Sequence, residues 1–339
     1  MPTLQIDIRN DPTFASLPMN QIDTPSAGSI SDWLWHGMMA RGNLTLFTSR
    51  WKVGKTTLLT GLLQEFATGG TFLDRAVAAA KVLVVSEESR DTWADRLRRM
   101  PVGAHCRLLS RPFPRRPTPD EWNKLVDHAM DMHAAGDLDL MVIDPLAKFL
   151  PGKTESDLPT IMEFLDPLKR LAQLSAGVAI LHHSRKKPSK EGSSARGNAG
   201  LLTAVDIIVE LSGYGKLHSH ERRRKLFALS RYPETPRHLV YEWDPTTSRF
   251  TSLGDPLGIH FNKNWGQLQA ILAKRKTAST HHELLIDWPA DHQRPSAAML
   301  YNWLNRAFEE KRLHRQGNGR KDNPYRYRLE NEDDVCVTR

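Results

Sequence analysis

The sequence predicts an α/β protein with a mostly parallel sheet, followed by a smaller, mainly helical module. Between Leu44 and Leu211, short apolar runs alternate with segments of helical spacing, and the runs themselves lack polar alternation. Strands buried on both faces of a parallel sheet read this way. Past Gly254 the pattern changes to helix-like segments and a basic-tipped hairpin.

Residues 1–30 are rich in Pro, Ser, Asp and Asn without periodicity and read as an irregular N-terminal arm. Strands are expected at Leu44–Thr48, Val82–Ser86, Leu140–Asp144, Val178–His182 and Ile207–Leu211, with helices at Thr56–Ala67, Ser89–Met100, Asp120–Ala134 and Leu158–Leu174. Such alternation builds an open α/β sheet. Lys225–Ser230, His238–Trp243 and Arg249–Ser252 read as antiparallel strands closing one sheet edge. Residues 31–255 thus form the core domain. Within 256–330, Asn264–Lys274 is helical, Thr280-His281-His282-Glu283 has the form of a capping box, and Pro295-Ser296 opens a third helix. Arg312–Gln316 and Tyr325–Leu329 flank a Gly-Asn-Gly-Arg-Lys-Asp turn as a hairpin. This outlines a winged helix; a small helical dimerisation cap is the other reading. Residues 331–339 continue an acidic tail that starts at Glu330.

At 339 residues the chain has room for two domains. Its 40% hydrophobic and 25% charged residues are those of a soluble globular protein. No apolar run approaches the roughly 18 residues of a membrane span, and the N-terminus has no apolar signal region. The two cysteines, Cys106 and Cys336, form no C-x-x-C pair, which argues against structural zinc and fits the cytoplasm. A net charge of +8 admits a polyanionic partner such as nucleic acid, or only a generic basic surface.

Residues 49–57, Ser-Arg-Trp-Lys-Val-Gly-Lys-Thr-Thr, match the phosphate-binding pattern G-x-x-x-x-G-K-[ST] except that Ser49 replaces the first glycine. An apolar strand enters and a helix leaves, so phosphates would sit on backbone N–H groups at the helix N-terminus. The backbone from Ser49 through Lys52, Val53 and Gly54 to Thr57 would wrap ATP. Lys55 would reach the β- and γ-phosphates, and Thr56 would hold Mg²⁺. The first glycine mainly serves the tight turn, where Ser is tolerable.

Leu140-Met141-Val142-Ile143-Asp144 ends in the carboxylate required beside that threonine, holding Mg²⁺ through a water. Pro145 follows it, so a water-orienting carboxylate must come from another strand. Glu87, at the tip of Val82–Ser86, is favoured for that task; Glu88 would cap or face solvent. Val178-Ala179-Ile180-Leu181 runs into His182-His183-Ser184, where a polar residue can touch the γ-phosphate. The loop beyond carries Arg185, Lys186, Lys187, Lys190 and Arg196, either a nucleic-acid contact or a solvated charge run. Pro151-Gly152-Lys153-Thr154 is a second, weaker candidate loop.

Together SRWKVGKTT, VVSEES, LMVIDPL, ILHHSRK, SARGNAGL and LSRYPETP resemble the RecA-type ATPases of the plasmid RepA helicase kind, over about residues 31–250. The resemblance implies a RecA-like P-loop core, a ring hexamer with ATP between subunits and single-stranded DNA in a channel. It makes Lys55 and Thr56 the phosphate and Mg²⁺ contacts, Asp144 the Walker B acid, Glu87 the water-orienting base and His183 the sensor. It also implies an arginine finger in trans, with Arg231 the first candidate and Arg196 the second. Ser49 and the appended C-terminal unit depart from the family's pattern.

In that unit, the third helix would offer Asn302, Asn305 and Arg306 to a major groove, and Arg315, Arg320 and Lys321 would touch phosphates. Two rivals to the helicase reading are a nucleotide-gated DNA-binding regulator or partition scaffold, and a recombinase-like filament former.

Overall fold

The computed structural model describes residue 19 and residues 32–151, 158–183, 199–214, 221–275 and 277–329. The arm, the tail and the loop carrying Arg185, Lys186, Lys187, Lys190 and Arg196 fall almost wholly outside these residues, as do Gly152, Lys153 and Thr154 of the second candidate loop. The chain divides into two compact units. One holds the residues up to Ser212 with Leu226–Arg237 and Thr246–Phe250; the other holds Gly213–Lys225, His238–Pro245 and the residues from Thr251 on.

The first unit begins with β1 (Trp33–Trp35), β2 (Met39–Ala40), β3 (Leu44–Ser49), α1 (Lys55–Glu65), β4 (Gly70–Phe72) and β5 (Arg75–Val77). It continues through β6 (Val82–Ser86), α2 (Arg90–Arg99), β7 (Cys106–Ser110), α3 (Pro119–Ala134), β8 (Leu140–Asp144), α4 (Leu146–Phe149), α5 (Leu158–Gln173), β9 (Gly177–His183), α6 (Ala199–Thr203) and β10 (Ile207–Gly213). Three further strands follow in the chain, β11 (Arg223–Ser230), β12 (His238–Asp244) and β13 (Arg249–Gly254); β12 belongs to the second unit, and the division between the units falls within β11 and β13. The strands run β10-β3-β9-β8-β6-β7, and each of these neighbours pairs in parallel. The mostly parallel sheet expected from the strand–helix alternation is therefore present, and all five of its expected strands are found to within two residues.

Register divides the sheet's side chains between its two faces. Leu44, Leu46, Leu83, Val85, Met141, Ile143, Val178 and Ile180 lie on one face and join a core with α3 and α5. Each fully buried large side chain of this kind contributes about 1.5–3 kcal/mol. Trp122 of α3 stacks on Phe164 of α5 at 4.6 Å and donates its indole N–H to the Phe164 carbonyl. On the other face Phe47, Ala179 and Leu181 meet Leu58, Leu59 and Leu62 of α1.

Two features were not expected. The edge strand β7 pairs only with β6 in this sheet, and its mixed sequence Cys-Arg-Leu-Leu-Ser has no clean period. A separate small sheet, ordered β2-β1-β5-β4, takes up Trp33 and Trp35, both buried.

The second unit contains α7 (Pro256–Lys274), β14 (Ser279–Thr280), α8 (His281–Ile286), α9 (Ala297–Glu309), β15 (Leu313–Gln316) and β16 (Arg326–Leu329), with strand order β14-β16-β15. α7 starts eight residues before the expected Asn264 because Asp255 caps it and Pro256 fits its first turn. The Thr280–Glu283 capping box is formed in both directions, and Ser296 caps α9. Phe261, Leu268, Leu284, Leu300, Trp303 and Tyr327 make a core of the unit's own.

Candidate functional site

The loop between β3 and α1 ends at Gly54, whose φ of +108° is a conformation that side chains avoid. α1 starts immediately after it with no side-chain cap, so its first-turn N–H groups are left for an anion. Lys52 also has a positive φ and is exposed, as is Trp51, at 71%.

Lys55 is 6% exposed, and its Nζ donates to Ser49 Oγ at 2.8 Å and contacts His183 Nδ1 at 2.9 Å. Ser49 and His183 are register partners on adjacent strands, so both reach Lys55 from the sheet face that α1 covers. Ser49 in place of glycine is therefore a ligand to the lysine. Burial pulls the Lys55 ammonium down to about 8, while the charge of Asp144 acts the other way.

Thr56 Oγ1 donates to Asp144 Oδ2 at 2.9 Å. Burial pushes the Asp144 carboxyl up to about 6 and Glu88's charge adds to this; the Thr56 bond, Lys55 and Arg96 oppose it. A desolvated ammonium and a desolvated carboxylate, side by side beneath an uncapped helix end, suit an anion and a cation arriving together.

Glu87 carries an ion pair to Lys148 at 3.0 Å. Glu88 is held by two guanidinium donors of Arg96, at 2.6 and 3.1 Å. Neither cation was singled out in the sequence; the signal available for Arg96 was helical spacing from Trp93 on α2. Arg231 is 75% exposed and 3.6 Å from Asp206. His182, beside the proposed sensor, meets Thr48 on the opposite sheet face at 3.3 Å.

In the second unit the expected nucleic-acid residues divide. Arg306 pairs with Asp255 and Glu310, both at 2.8 Å. Arg315 lies between the rings of Phe308 and Tyr325, at 4.0 and 4.4 Å, and donates to Asn305. Asn302, Arg320 and Lys321 are exposed.

A protein-family model described as an AAA domain matches residues 13–189, more than half of the chain, and the chain belongs to that family. No curated protein matches it. Among solved structures, one described as an ATPase domain is similar at 14% identity over 63% of this chain and 86% of its own, with a TM-score of 0.47. Flagellar accessory protein FlaH from Methanocaldococcus jannaschii is similar at 10% identity over 62% and 89%, with a TM-score of 0.45. Family membership and the strand–loop–helix at Gly54 together define a P-loop α/β protein and support an ATP-hydrolysing enzyme. No helix among the described residues is long and apolar enough to cross a membrane.

Proposed function

We propose that the chain is a Mg²⁺-dependent, DNA-associated ATPase, a ring-forming helicase or translocase of the plasmid and phage replication kind with a RecA-like core. The observation that carries the ATPase part is the meeting of Lys55, Thr56 and Asp144 beneath the uncapped end of α1. A hydroxyl and a carboxylate are hard oxygen ligands and fit magnesium. Thr56 and Asp144 would hold the ion, the latter through a water; when bound, it neutralises charge on the β- and γ-phosphates. Lys55 would hold the same phosphates, and the contact of its ammonium with His183 supports a sensor role for that histidine. A carboxylate at the end of β6 orients the attacking water.

Several features support the DNA part. The net charge is +8, and Arg320 and Lys321 stand exposed in the turn between β15 and β16. The order α7-β14-α8-α9-β15-β16, with its three-stranded sheet, supports a winged-helix-like module for duplex DNA. The exposure of Arg231 suits a trans finger in a homohexamer.

The test is ATP binding and turnover by the full chain, with and without single-stranded DNA, and unwinding of a forked substrate. Stimulated turnover that Lys55→Ala abolishes is the expected result. Turnover indifferent to DNA would remove the helicase part, and ATP-gated DNA binding without unwinding would leave a regulator. Open filaments under electron microscopy would favour the recombinase-like rival.

A further inference from the structure

β6 leads into two adjacent carboxylates, and the fold separates them. Ser86 is in register with Asp144 and Val84 with Val142, so these side chains share a sheet face. The opposite parity, Leu83, Val85, Met141 and Ile143, packs under α3 and α5. The Asp144 face is the one that meets Thr56 of α1. α2 covers this face too: Trp93 donates its indole N–H to Ser86 Oγ at 3.0 Å, and the Glu88 backbone N–H donates to the same oxygen at 3.1 Å. Arg96, one turn along α2, lies over the Trp93 ring at 4.6 Å and grips the Glu88 carboxylate with both fork nitrogens. Glu88 and Arg96 are near enough to Asp144 for both charges to act on it. Glu87, just past the end of β6, is engaged instead by Lys148 of α4 at 3.0 Å.

We propose that Glu88, not Glu87, is the carboxylate that orients the attacking water beside Thr56 and Asp144, with Arg96 its positioning residue. This rests on the ATPase reading above. In the step, the water oxygen bonds to the γ-phosphorus as the bond to the β–γ bridging oxygen breaks. ADP leaves with the electron pair, and the water's proton passes to a Glu88 oxygen and on to solvent. The planar fork of Arg96 fixes both Glu88 oxygens, which a lysine cannot do.

The test uses the full chain and the variants Glu88→Gln, Glu87→Gln and Arg96→Lys. Three quantities are read: phosphate release, affinity for a fluorescent ATP analogue across a Mg²⁺ titration, and thermal melting. Glu88→Gln is expected to lower kcat by about 10²–10⁴-fold while Mg²⁺-dependent affinity and melting stay near wild type. Its kcat loss exceeds that of Glu87→Gln by at least about tenfold, and Arg96→Lys lowers kcat at unchanged KM. A Glu87→Gln loss equal to or larger than that of Glu88→Gln overturns the assignment. So does a folded Glu88→Gln variant with wild-type turnover. If Glu88→Gln melts below the assay temperature, Arg96→Lys decides, and wild-type kcat there overturns the assignment. A wild-type chain without affinity for the analogue overturns the ATPase reading itself, an outcome distinct from these.

Discussion

The Thr56 hydroxyl donates to the Asp144 carboxylate at 2.9 Å, joining residues 88 apart in sequence. One ends a buried strand and the other opens the helix after the phosphate loop, so the sheet itself sets their distance. Asp144→Asn keeps an acceptor for Thr56 but removes the charge. Mg²⁺-supported turnover should fall by about 100-fold or more, while nucleotide binding in EDTA persists. Turnover at increasing Mg²⁺ and an EDTA binding titration check this.

Ser49 gives Lys55 an acceptor inside the protein. Ser49→Gly restores the glycine of the general motif and removes that acceptor. The nucleotide-free protein should lose about 1.5–3 kcal/mol, the usual worth of a hydrogen bond to a charged group. ATP supplies phosphate oxygens to the same ammonium, so the nucleotide-induced rise in melting temperature should be larger in the variant than in wild type. Melting with and without Mg²⁺·ATP measures both effects.

What the sequence made legible followed from local pattern. β6 and β8 were found to the residue because each is an apolar run bounded by polar residues. The Thr280 capping box and the Ser296 cap rest on chemistry within four residues. Lys55, Thr56 and Asp144 could be named because a strand end and a glycine turn fix where they point. Relationships made only by packing were out of reach. Nothing near Arg306 in sequence announces Asp255, 51 residues earlier. Nor does the sequence announce that Arg96 closes both its fork nitrogens on Glu88, eight residues earlier.

The same ion pair separates stability from DNA binding in the second unit. Arg306 is committed to Asp255 and Glu310, so Arg306→Ala should lower the melting temperature through the loss of about 1 kcal/mol. Arg320 and Lys321 are exposed, and their double replacement by alanine should leave melting unchanged and weaken DNA binding. The slope of log affinity against log salt should shrink by about 2, one for each phosphate left without its cation. Salt-dependent binding curves distinguish the two variants.

Gly61, in the middle of α1, is not a flexibility device. A Cβ there would run into the Phe250 ring, which itself packs edge-on to Phe72 at 5.2 Å. Gly61→Ala exchanges a small gain in helix propensity for an overpacked contact. The net effect should be a loss of about 1–3 kcal/mol, read by denaturant unfolding. A stabilised variant would mean that the ring can move aside.

Glu121 links stability to pH. The Arg115 guanidinium, then the Thr118 backbone N–H, hold its carboxyl down at about 2, from an ordinary value of 4.5. Because the folded value lies below the unfolded one, the stabilisation is fully present above about 4.5 and is lost as pH falls toward 2. Glu121→Gln cannot ionise and should melt below wild type at neutral pH. Its deficit should narrow through that acid window and vanish near pH 2, because a protonated Glu121 and a glutamine make similar bonds to Thr118. Melting curves of both proteins across the window give the comparison; a deficit constant with pH would show that the capping geometry, and not the charge facing Arg115, is what α3 draws from this residue.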